Sequence, residues 1–550
     1  MATVAPAPAS YAHGTAETTL LGETIGANLR RTARRVPQSE AVVDKTTGER
    51  WTYREFDELV DTLAYGLHRA GFGKGDRVGI WSTNNASWVL AQYATARAGI
   101  VLVNINPSYR THELGYALKQ SGCRLLLSER AYKTSDYEAM VEQVRGDLPG
   151  LERVVYLGSP EWDALFGHRP DSESFAELEA ALSPDDAINI QYTSGTTGFP
   201  KGATLSHHNL LNNGLYIGEL VAYSEQDRVC VPVPFYHCFG MVLANLAITT
   251  HGACIVIPAP TFDPEASLRA VQEERCTSLY GVPTMFIAEL GLEDFGSYDL
   301  SSLRTGIMAG SPCPIEVMKR CVAEMNMTEV SICYGMTETS PVSLQTRVDD
   351  ELERRVSTVG RVHPHLEVKV IDPETGLTVP RGAYGELCTR GYSVMLGYWE
   401  MPERTAEAID AARWMHTGDL AVMDDAGYVN IVGRIKDMVI RGGENLYPRE
   451  VEEFLYGHPA VADVQVVGVP DRTYGEELCA WVRLRPDAQA NEDDIRDFCR
   501  GRLAQQKIPR YVVFAEEFPM TVTGKVQKFK MREESVRRLG LEDAAAIQHA

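Results

Sequence analysis

The 550-residue sequence predicts an α/β protein with a large N-terminal domain of helix-covered sheets, a small β-rich subdomain within it, and a small α+β C-terminal domain. The first observation is length, since a chain of this size exceeds what one hydrophobic core usually holds. The second is an alternation of helix and strand patterns in the N-terminal third, which is typical of a parallel sheet covered by helices. The third is a change to turn-rich strands from about Val368.

The N-terminal elements follow from the spacing of apolar residues. Residues 52–71 predict a helix, because Thr52 and Glu55 match a capping box, an apolar stripe recurs at helical spacing, and Gly71 is a natural stop. The patterns after this helix alternate between strand and helix in the order DRVGIWS, ASWVLAQYATARAG, IVLVNIN, THELGYALKQSG and CRLLLSE. Residues 158–187 are predicted to be a surface connection.

The same patterns set the expected domain boundaries. Residues 1–24 are predicted to be a disordered lead, and residues 25–435 the N-terminal domain, with the β-rich subdomain at about 366–435. Residues 436–550 then form the C-terminal domain. Its sequence predicts strands and two helices, near 449–457 and 492–505.

Composition excludes several classes of protein. The formal net charge is −22, which argues against nucleic acid or an anionic membrane as a partner. The eleven cysteines show no Cys-x-x-Cys pair, so reduced thiols and a cytoplasmic location are expected. The first residues lack the basic and apolar regions of a signal peptide. The most apolar stretch, 241–257, is broken by Asn245 and His251, so no transmembrane helix is predicted. A homodimer is left open.

One glycine-rich segment, YTSGTTGFPKG at 192–202, is suited to binding phosphate. Backbone N–H groups of such a loop can point at phosphate oxygens, and its hydroxyl groups add donors. It follows the strand pattern AINIQ, and open α/β sheets bind ligands where their strands end. The spacing from Gly198 to Lys201, and Gly202 after the lysine, differ from a Walker A loop. Taken alone, the segment could also be a flexible surface loop.

Seven further motifs follow this loop in a fixed order. They are PFYHCFG (234–240), AGSPCP (309–314), YGMTE (334–338), GELCTRGYSVMLGYW (385–399), WMHTGDLA (414–421), GRIKDMVIRGGENLYPREVE (433–452) and PMTVTGKVQK (519–528). Together with the loop they resemble the adenylate-forming (AMP-binding) superfamily, and most closely its medium-chain fatty acyl-CoA synthetases, over about residues 25–535. The resemblance implies two half-reactions: a carboxylate attacks the ATP α-phosphate to give acyl-AMP and pyrophosphate, and a thiol then displaces AMP.

The resemblance also implies a nucleotide site. Tyr334 is expected to stack on adenine, Asp419 to accept both ribose hydroxyls, and Arg434 to reach the ribose or a phosphate. The full set that the resemblance places at ATP or AMP is Thr193, Ser194, Gly195, Thr196, Thr197, Gly198, Lys201, Gly310, Ser311, Tyr334, Gly335, Thr337, Asp419, Arg434 and Lys525.

Five of the matching residues are expected to take part in catalysis. Glu338 would hold Mg²⁺, a hard cation that suits carboxylate and phosphate oxygens. Thr337 would donate to the α-phosphate. Lys201 and Lys525 would stabilise the charge that grows on the phosphates in the transition state. His237 occupies the position of an aromatic gate beside the acyl site. Neither half-reaction needs a nucleophile from the protein.

The acid and its acceptor are predicted from the same motifs. Amino-acid-activating members carry an aspartate where this chain has Phe235-Tyr236, and no acidic residue occurs in 229–252, so a carboxylic acid with an apolar body is expected. The residues predicted to bind the acyl group are His237, Tyr280, Gly281, Gly306, Gly310 and Met336. Those predicted to bind CoA are Gly442, Gly443 and Glu444. Lys436 is the expected hinge of a mobile C-terminal domain.

These motifs predict a fatty acyl-CoA ligase that uses ATP, Mg²⁺ and CoA. The first alternative is a freestanding adenylating enzyme that loads an acyl or aryl acid onto a carrier protein, and a luciferase-like oxidation is also left open. The weaker alternative is a nucleotide-binding regulatory protein without ligase activity. Chain length of the acid remains undecided at this point.

Overall fold

The computed structural model describes residues 8–167, 172–193, 200–311, 313–442, 444–520 and 526–545. The strands, in chain order, are β1 Tyr11–His13, β2 Glu40–Asp44, β3 Arg50–Thr52, β4 Arg77–Trp81, β5 Val101–Ile105, β6 Leu125–Ser128, β7 Ala131–Tyr132, β8 Ser135–Asp136, β9 Arg153–Tyr156, β10 Ala187–Thr193, β11 Lys201–Ser206, β12 Arg228–Cys230, β13 Cys254–Ile257, β14 Ser278–Gly281, β15 Thr305–Ala309, β16 Glu329–Gly335, β17 Val342–Gln345, β18 Arg361–Val362, β19 Leu366–Ile371, β20 Tyr384–Gly391, β21 Gly397–Tyr398, β22 Met415–Met423, β23 Val429–Arg434, β24 Val439–Arg441, β25 Glu444–Leu446, β26 Val461–Asp471, β27 Gly475–Leu484 and β28 Tyr511–Phe514.

Helices alternate with these strands. In chain order they are α1 Ile25–Arg35, α2 Tyr53–Arg69, α3 Ala86–Arg97, α4 Thr111–Ser121, α5 Tyr137–Arg145, α6 Pro160–Ala164, α7 Ser172–Ala180, α8 His207–Leu220, α9 Ala247–His251, α10 Pro264–Glu274, α11 Pro283–Leu290, α12 Ile315–Glu324, α13 Leu352–Ser357, α14 Pro402–Ala408, α15 Pro448–Tyr456, α16 Glu492–Cys499, α17 Lys528–Leu539 and α18 Glu542–Ala545. A π-helix, Phe239–Leu246, leads directly into α9. None of the helices in the described ranges is both long and apolar enough to span a bilayer.

Two large sheets form the N-terminal domain, and their helices cover both faces. One has seven strands in the order β21-β11-β10-β5-β4-β6-β9, and the other has nine in the order β18-β17-β16-β15-β14-β12-β13-β2-β3. Their central strands run parallel, whereas the pairs β10–β11 and β16–β17 are antiparallel. The predicted alternation of strands and helices is confirmed, with antiparallel strands added at the edges.

Helix α2 shows how local sequence sets these elements. Thr52 Oγ1 accepts from the Glu55 N–H at 3.3 Å, and the Glu55 carboxylate accepts from the Thr52 N–H at 2.8 Å, which completes the predicted capping box. The apolar stripe of Phe56, Val60 and Leu63 is fully buried. Helix α2 therefore begins where its cap predicts and buries the face that its periodicity predicts.

The β-rich subdomain is a five-stranded sheet in the order β1-β19-β20-β22-β23. Strand β1 pairs antiparallel with β19, with Tyr11 opposite Lys369 and His13 opposite Glu367. The prediction of a disordered lead is therefore wrong for the described residues 8–24. Three residues carry too little periodicity to reveal a strand, and the pairing partner lies far along the chain.

The predicted surface connection at 158–187 also contains regular structure. Helix α6 begins after Ser159, whose hydroxyl accepts from the Trp162 N–H at 3.2 Å, and Trp162 is buried. Helix α7 follows at Ser172–Ala180. Both helices are short, which weakens their periodic signal.

The C-terminal domain is built on the sheet β25-β24-β27-β26, with β28 parallel to β27. The two predicted helices are present as α15 and α16, and α16 ends six residues earlier than predicted, at Cys499. Helix α17 was not predicted from the sequence. Only Met531 and Ser535 of α17 are buried, so its apolar stripe is too narrow to indicate an amphipathic helix.

Candidate active site

The carboxyl ends of β14, β15 and β16 meet at one edge of the nine-stranded sheet. β16 ends at Gly335, and a short 3-10 turn, Thr337–Thr339, follows it. A side chain at residue 335 would place its Cβ 1.7 Å from the carbonyl oxygen of Pro341, so only glycine fits there. Gly310, just after β15, has φ +89°, a value that also favours glycine. The sheet thus brings the AGSPCP and YGMTE motifs side by side.

Tyr334, Asp419 and Arg434 form one connected group across two sheets. The Tyr334 hydroxyl donates to Asp419 Oδ2 at 2.6 Å, and Arg434 Nε lies 3.1 Å from Asp419 Oδ1. Asp419 on β22 is the direct cross-strand partner of Arg434 on β23. Asp419 is buried while Arg434 is exposed, so the carboxylate lies beside a cation that solvent reaches.

Burial sets the protonation of this group. Burial, followed by the charge of Asp419, raises the pKa of Tyr334 well above its usual value, so the hydroxyl stays protonated and donates. The Asp419 carboxylate raises the pKa of Arg434. The group therefore presents a carboxylate that accepts from Tyr334 and pairs with Arg434, and a carboxylate is an acceptor for hydroxyl groups.

Glu338 and Lys201 meet on a residue that sequence reasoning missed, Tyr398. The Tyr398 hydroxyl donates to Glu338 Oε1 at 2.7 Å, and Lys201 Nζ lies 4.2 Å from the centre of the Tyr398 ring. Glu338 is only 5% exposed, and its carbonyl oxygen accepts from the Met395 N–H at 2.9 Å. Tyr398 lies inside the GELCTRGYSVMLGYW motif, but no spacing rule marks a tyrosine on a short edge strand as a carboxylate partner.

The residues on either side of the glycine-rich loop are paired as neighbouring strands. Thr193 at the end of β10 is the cross-strand partner of Lys201 at the start of β11, and Thr193 Oγ1 lies 3.4 Å from the Lys201 carbonyl oxygen. Tyr116 donates to the Pro200 carbonyl at 3.0 Å. The predicted residues of the loop itself lie outside the described residues: Ser194, Gly195, Thr196, Thr197 and Gly198. Their roles remain predictions.

His237 and Thr337 are brought together by Cys238. Cys238 Sγ lies 3.7 Å from Thr337 Oγ1 and 3.7 Å from His237 Nδ1. The ring orientation of His237 is fixed because its Nδ1 accepts from the Phe239 N–H at 3.1 Å. The predicted gate therefore lies beside the residue predicted to contact the α-phosphate.

The residues predicted to bind the acyl group differ in their surroundings. Tyr280 is fully buried, and its hydroxyl donates to the Leu243 carbonyl at 3.0 Å while accepting from Tyr223 at 2.9 Å. At Gly306 a Cβ would lie 2.1 Å from the Leu279 carbonyl oxygen, so the packing of the two strands itself disfavours a larger residue there. At Gly281 a Cβ would lie 2.9 Å from the Phe286 ring, a second close approach.

Met336 and Ser311 lie just after the ends of β16 and β15. Met336 is partly buried and packs against the same apolar cluster as Tyr280 and Phe239, and the Phe239 and Tyr280 rings are 5.9 Å apart. Ser311 follows Gly310 at the end of β15. Cys238, which contacts Thr337, belongs to the same apolar cluster.

The C-terminal domain touches the N-terminal domain through α15. Arg449 donates to the Cys313 carbonyl at 3.3 Å, and the rings of Tyr447 and Tyr384 are 5.1 Å apart. Lys436 lies in a 3-10 turn, Ile435–Asp437, between β23 and β24. This turn is the covalent link between the two domains.

Two of the predicted CoA residues, Gly442 and Glu444, lie at the β24–β25 hairpin. Gly442 has φ +59°, and Arg441 pairs with Glu444 across the hairpin. The Arg441 guanidinium lies 3.9 Å from the centre of the Tyr474 ring. Gly443 and the catalytic candidate Lys525 lie outside the described residues, so their roles also remain predictions.

Family models match most of the chain. The model of the AMP-binding enzyme matches residues 29–399, and the model of the AMP-binding enzyme C-terminal domain matches residues 450–525. Among curated relatives, "Putative acyl-CoA synthetase YngI" of Bacillus subtilis (strain 168) is 49% identical over 547 residues, 96% of this chain and 99% of that protein. "Medium-chain acyl-CoA ligase ACSF2, mitochondrial" of Homo sapiens is 42% identical over 557 residues, 97% of this chain and 91% of that protein.

Solved structures of similar fold include ligands of the kind expected. ATP-bound MatB from Rhodopseudomonas palustris aligns with a TM-score of 0.81 and 29% identity, covering 94% of this chain and 99% of MatB. The anthranilate CoA ligase AuaEII in complex with anthranoyl-AMP aligns with a TM-score of 0.83 and 27% identity, covering 95% of this chain and 99% of AuaEII.

Proposed function

Because the chain belongs to the AMP-binding enzyme family, we propose that it is an ATP-dependent ligase that activates a medium-chain fatty acid as acyl-AMP and then transfers the acyl group to CoA. In the first step a carboxylate oxygen attacks the α-phosphorus, and the bond to pyrophosphate breaks. In the second step the CoA sulfur attacks the acyl carbonyl carbon, and AMP leaves with the oxygen that joined it to the acyl group.

The observation that carries this proposal is the Tyr334–Asp419–Arg434 group. Asp419 offers buried carboxylate oxygens to ribose hydroxyls, while the tyrosine that contacts it offers a ring face to adenine. Arg434 adds a positive charge on the same carboxylate. The group suits the AMP portion, which takes part in both half-reactions. Tyr334 lies near the end of β16, just before the 3-10 turn that contains Thr337 and Glu338.

The phosphate side of the proposal rests on Lys201, Glu338 and Thr337. Lys201 supplies a cation next to Tyr398, where the negative charge of the triphosphate would be compensated despite the net charge of −22. Thr337 has its hydroxyl group 3.7 Å from Cys238, which belongs to the apolar cluster of Phe239 and Tyr280. Glu338 is a buried carboxylate that fits Mg²⁺, which when bound with ATP would neutralise phosphate charge.

The absence of acidic residues in 229–252 and the apolar character of this segment favour a medium-chain acid. No acidic side chain occurs in 229–252 to hold an α-ammonium group, and the π-helix Phe239–Leu246 within that range is entirely buried and apolar except for Asn245. Relatives over almost the whole length are named medium-chain acyl-CoA ligases. The matching apolar surface should bind each added CH₂ with up to about 0.8 kcal/mol until the slot is full.

CoA is the favoured acceptor, and the cytoplasm the favoured location. The β24–β25 hairpin, with Gly442 and Glu444, would line the pantetheine path once Lys436 lets the domain turn. All eleven cysteines are free and buried, which suits a reducing compartment, although several relatives are named mitochondrial.

The decisive experiment measures the two half-reactions separately. Purified protein with ATP and Mg²⁺ is given straight-chain acids of graded length, and pyrophosphate release is followed, then AMP release after CoA is added. We expect KM to fall about fourfold per CH₂ up to an optimum at medium length. Leucine or phenylalanine turning over as fast as octanoate would contradict the substrate class. Pyrophosphate release without CoA-dependent AMP release would instead favour a carrier-loading enzyme. If neither product is released, a nucleotide-binding regulatory protein is favoured.

A further inference from the structure

Three side chains with metal-binding atoms converge on the β-rich subdomain, outside the group described above. Glu386 and Cys388 are two residues apart on β20 and so lie on the same face of the strand. His416 on β22 is the direct cross-strand partner of Cys388. His416 Nδ1 lies 3.0 Å from Glu386 Oε2 and 3.7 Å from Cys388 Sγ. All three ligand atoms lie within 4.8 Å of one another. The pairing of the two strands therefore fixes a nitrogen, a sulfur and an oxygen around one point.

The spacing of these atoms fits a small tetrahedral metal ion. With bonds of about 2.3 Å to sulfur and about 2.0–2.1 Å to nitrogen and oxygen, neighbouring ligands of zinc lie roughly 3.3–3.6 Å apart. The separations of His416 Nδ1 from Glu386 Oε2 and from Cys388 Sγ, 3.0 and 3.7 Å, bracket that range. Thiolate, imidazole and carboxylate are also the ligand types that zinc takes, whereas Mg²⁺ prefers oxygen alone.

The surroundings orient the ligands and leave an approach from solvent. Glu386 Oε1 accepts from the Gly418 N–H at 3.0 Å, which turns Oε2 toward His416. Asp410 Oδ2 lies 3.8 Å from the far ring nitrogen of His416, and Asp410 itself is held by the Trp414 N–H at 2.8 Å. The His416 side chain is 31% exposed, while Cys388 is buried beneath it. Three protein ligands with one open side match a site whose fourth ligand is water.

We propose that Glu386, Cys388 and His416 bind a zinc-like divalent cation, with water as the fourth ligand. The site is separate from the magnesium site proposed at Glu338 and does not depend on the ligase activity. Through Glu386 it holds Gly418, the residue before Asp419, so an ion bound there would fix the start of the ribose-binding segment.

The test uses cobalt as a spectroscopic substitute for zinc. Protein dialysed against a chelator is titrated with Co²⁺ in the presence of excess Mg²⁺. We expect a single equivalent to bind, with the intense visible bands of tetrahedral cobalt and a sulfur-to-cobalt charge-transfer band in the near ultraviolet, both abolished by stoichiometric Zn²⁺.

Variants assign the bands to this cluster. Cys388→Ser should lose the sulfur band, and His416→Gln, at a partly exposed position, should weaken Co²⁺ binding by more than about tenfold. Cys123→Ser, at a buried cysteine in the connection between α4 and β6, should keep both signals. Melting curves check that each variant is folded. If the parent shows no sulfur band, or Cys388→Ser keeps it, the cluster is a hydrogen-bonded Glu–His pair and the proposal is wrong.

Discussion

The hydroxyl group of Tyr334 donates to the carboxylate of Asp419 over 2.6 Å, although the two residues are 85 positions apart in the sequence. The contact ties the end of a strand in the nine-stranded sheet to a strand of the β-rich subdomain. It also links the two residues expected to contact opposite parts of a nucleoside, the base and the sugar.

Replacing Asp419 by asparagine tests the ribose contact. The shape is kept, but the charge that Tyr334 and Arg434 hold is removed. Hydrogen bonds to a charged group contribute about 1.5–3 kcal/mol, so the KM for ATP should rise about ten- to a hundredfold. The KM for the acid should change little. Asp424→Asn, in the turn after β22, is the matched control, and an unaltered ATP KM in Asp419→Asn would exclude the assignment.

Tyr398→Phe isolates the hydroxyl that contacts Glu338. The ring under Lys201 remains, but the Glu338 carboxylate loses its donor, so acyl-AMP formation should slow about tenfold and more Mg²⁺ should be needed for half-maximal rate. Tyr216→Phe, whose hydroxyl donates to the remote Thr18 carbonyl, should behave like the parent. A parental magnesium dependence in Tyr398→Phe would mean that this contact is only structural.

Gly306→Ala separates packing from substrate contact. Because the new methyl group would lie 2.1 Å from the Leu279 carbonyl, the strands must move, and we expect a loss of about 1–3 kcal/mol of stability. Gly146→Ala, where nothing lies within 4 Å, is the control. A variant that melts like the parent but prefers shorter acids would instead place Gly306 on the wall of the acyl slot.

Protonation of the buried His207 is expected to lower the free energy of unfolding in mild acid. Burial lowers the pKa of His207 to about 4, and its Nδ1 accepts from the Ile25 N–H at 3.2 Å. The nearest charges are Asp186 and Lys74. Since the unfolded chain takes up this proton near pH 6.5 and the folded chain only near pH 4, stability is full above pH 6.5. About 3 kcal/mol should be lost as the pH falls between these values.

Urea unfolding at a series of pH values measures this loss. His207→Asn keeps an acceptor for Ile25 and cannot be protonated, so its stability should depend less on pH between 6.5 and 4. If the variant and the parent show the same dependence, other groups are responsible.

Lys436→Pro tests the hinge. Proline fixes φ near −65° and restricts Ile435, so the domain should turn less easily. We expect acyl-AMP formation to survive and thioester formation from supplied acyl-AMP to fall sharply. Lys436→Ala, which leaves the backbone free, should keep both rates. Parental rates for both steps in a normally melting Lys436→Pro protein would place the pivot elsewhere.

Local signals predicted much of this fold. The capping box at Thr52 and Glu55, the strand and helix alternation up to β6, and the order of the motifs all depend on residues close in sequence. The family, and the fold class with its separate C-terminal domain, could be predicted for the same reason, because motifs of five to twenty residues carry them.

What could not be predicted depends on partners far apart in the chain. Tyr398 and Glu338 are 60 residues apart, and no pattern in either segment indicates the other. The pairing of Cys388 with His416 depends on a register that a single sequence does not specify. Helix α17 was missed because its buried face is narrow, and the close approach of Gly306 to the Leu279 carbonyl could not be predicted because the two strands meet only in the folded sheet.

Strand β1 has a consequence for how the chain is made. Tyr11 donates to Glu367, 356 residues later, and β1 covers an edge of β19. At about 5–20 residues per second, the ribosome needs on the order of tens of seconds to supply that partner. During this interval β1 has no partner strand, because β19 has not yet been synthesised. Pairing of β1 therefore waits until most of the N-terminal domain has been synthesised, and until then the unpaired segment is free to pair with other chains.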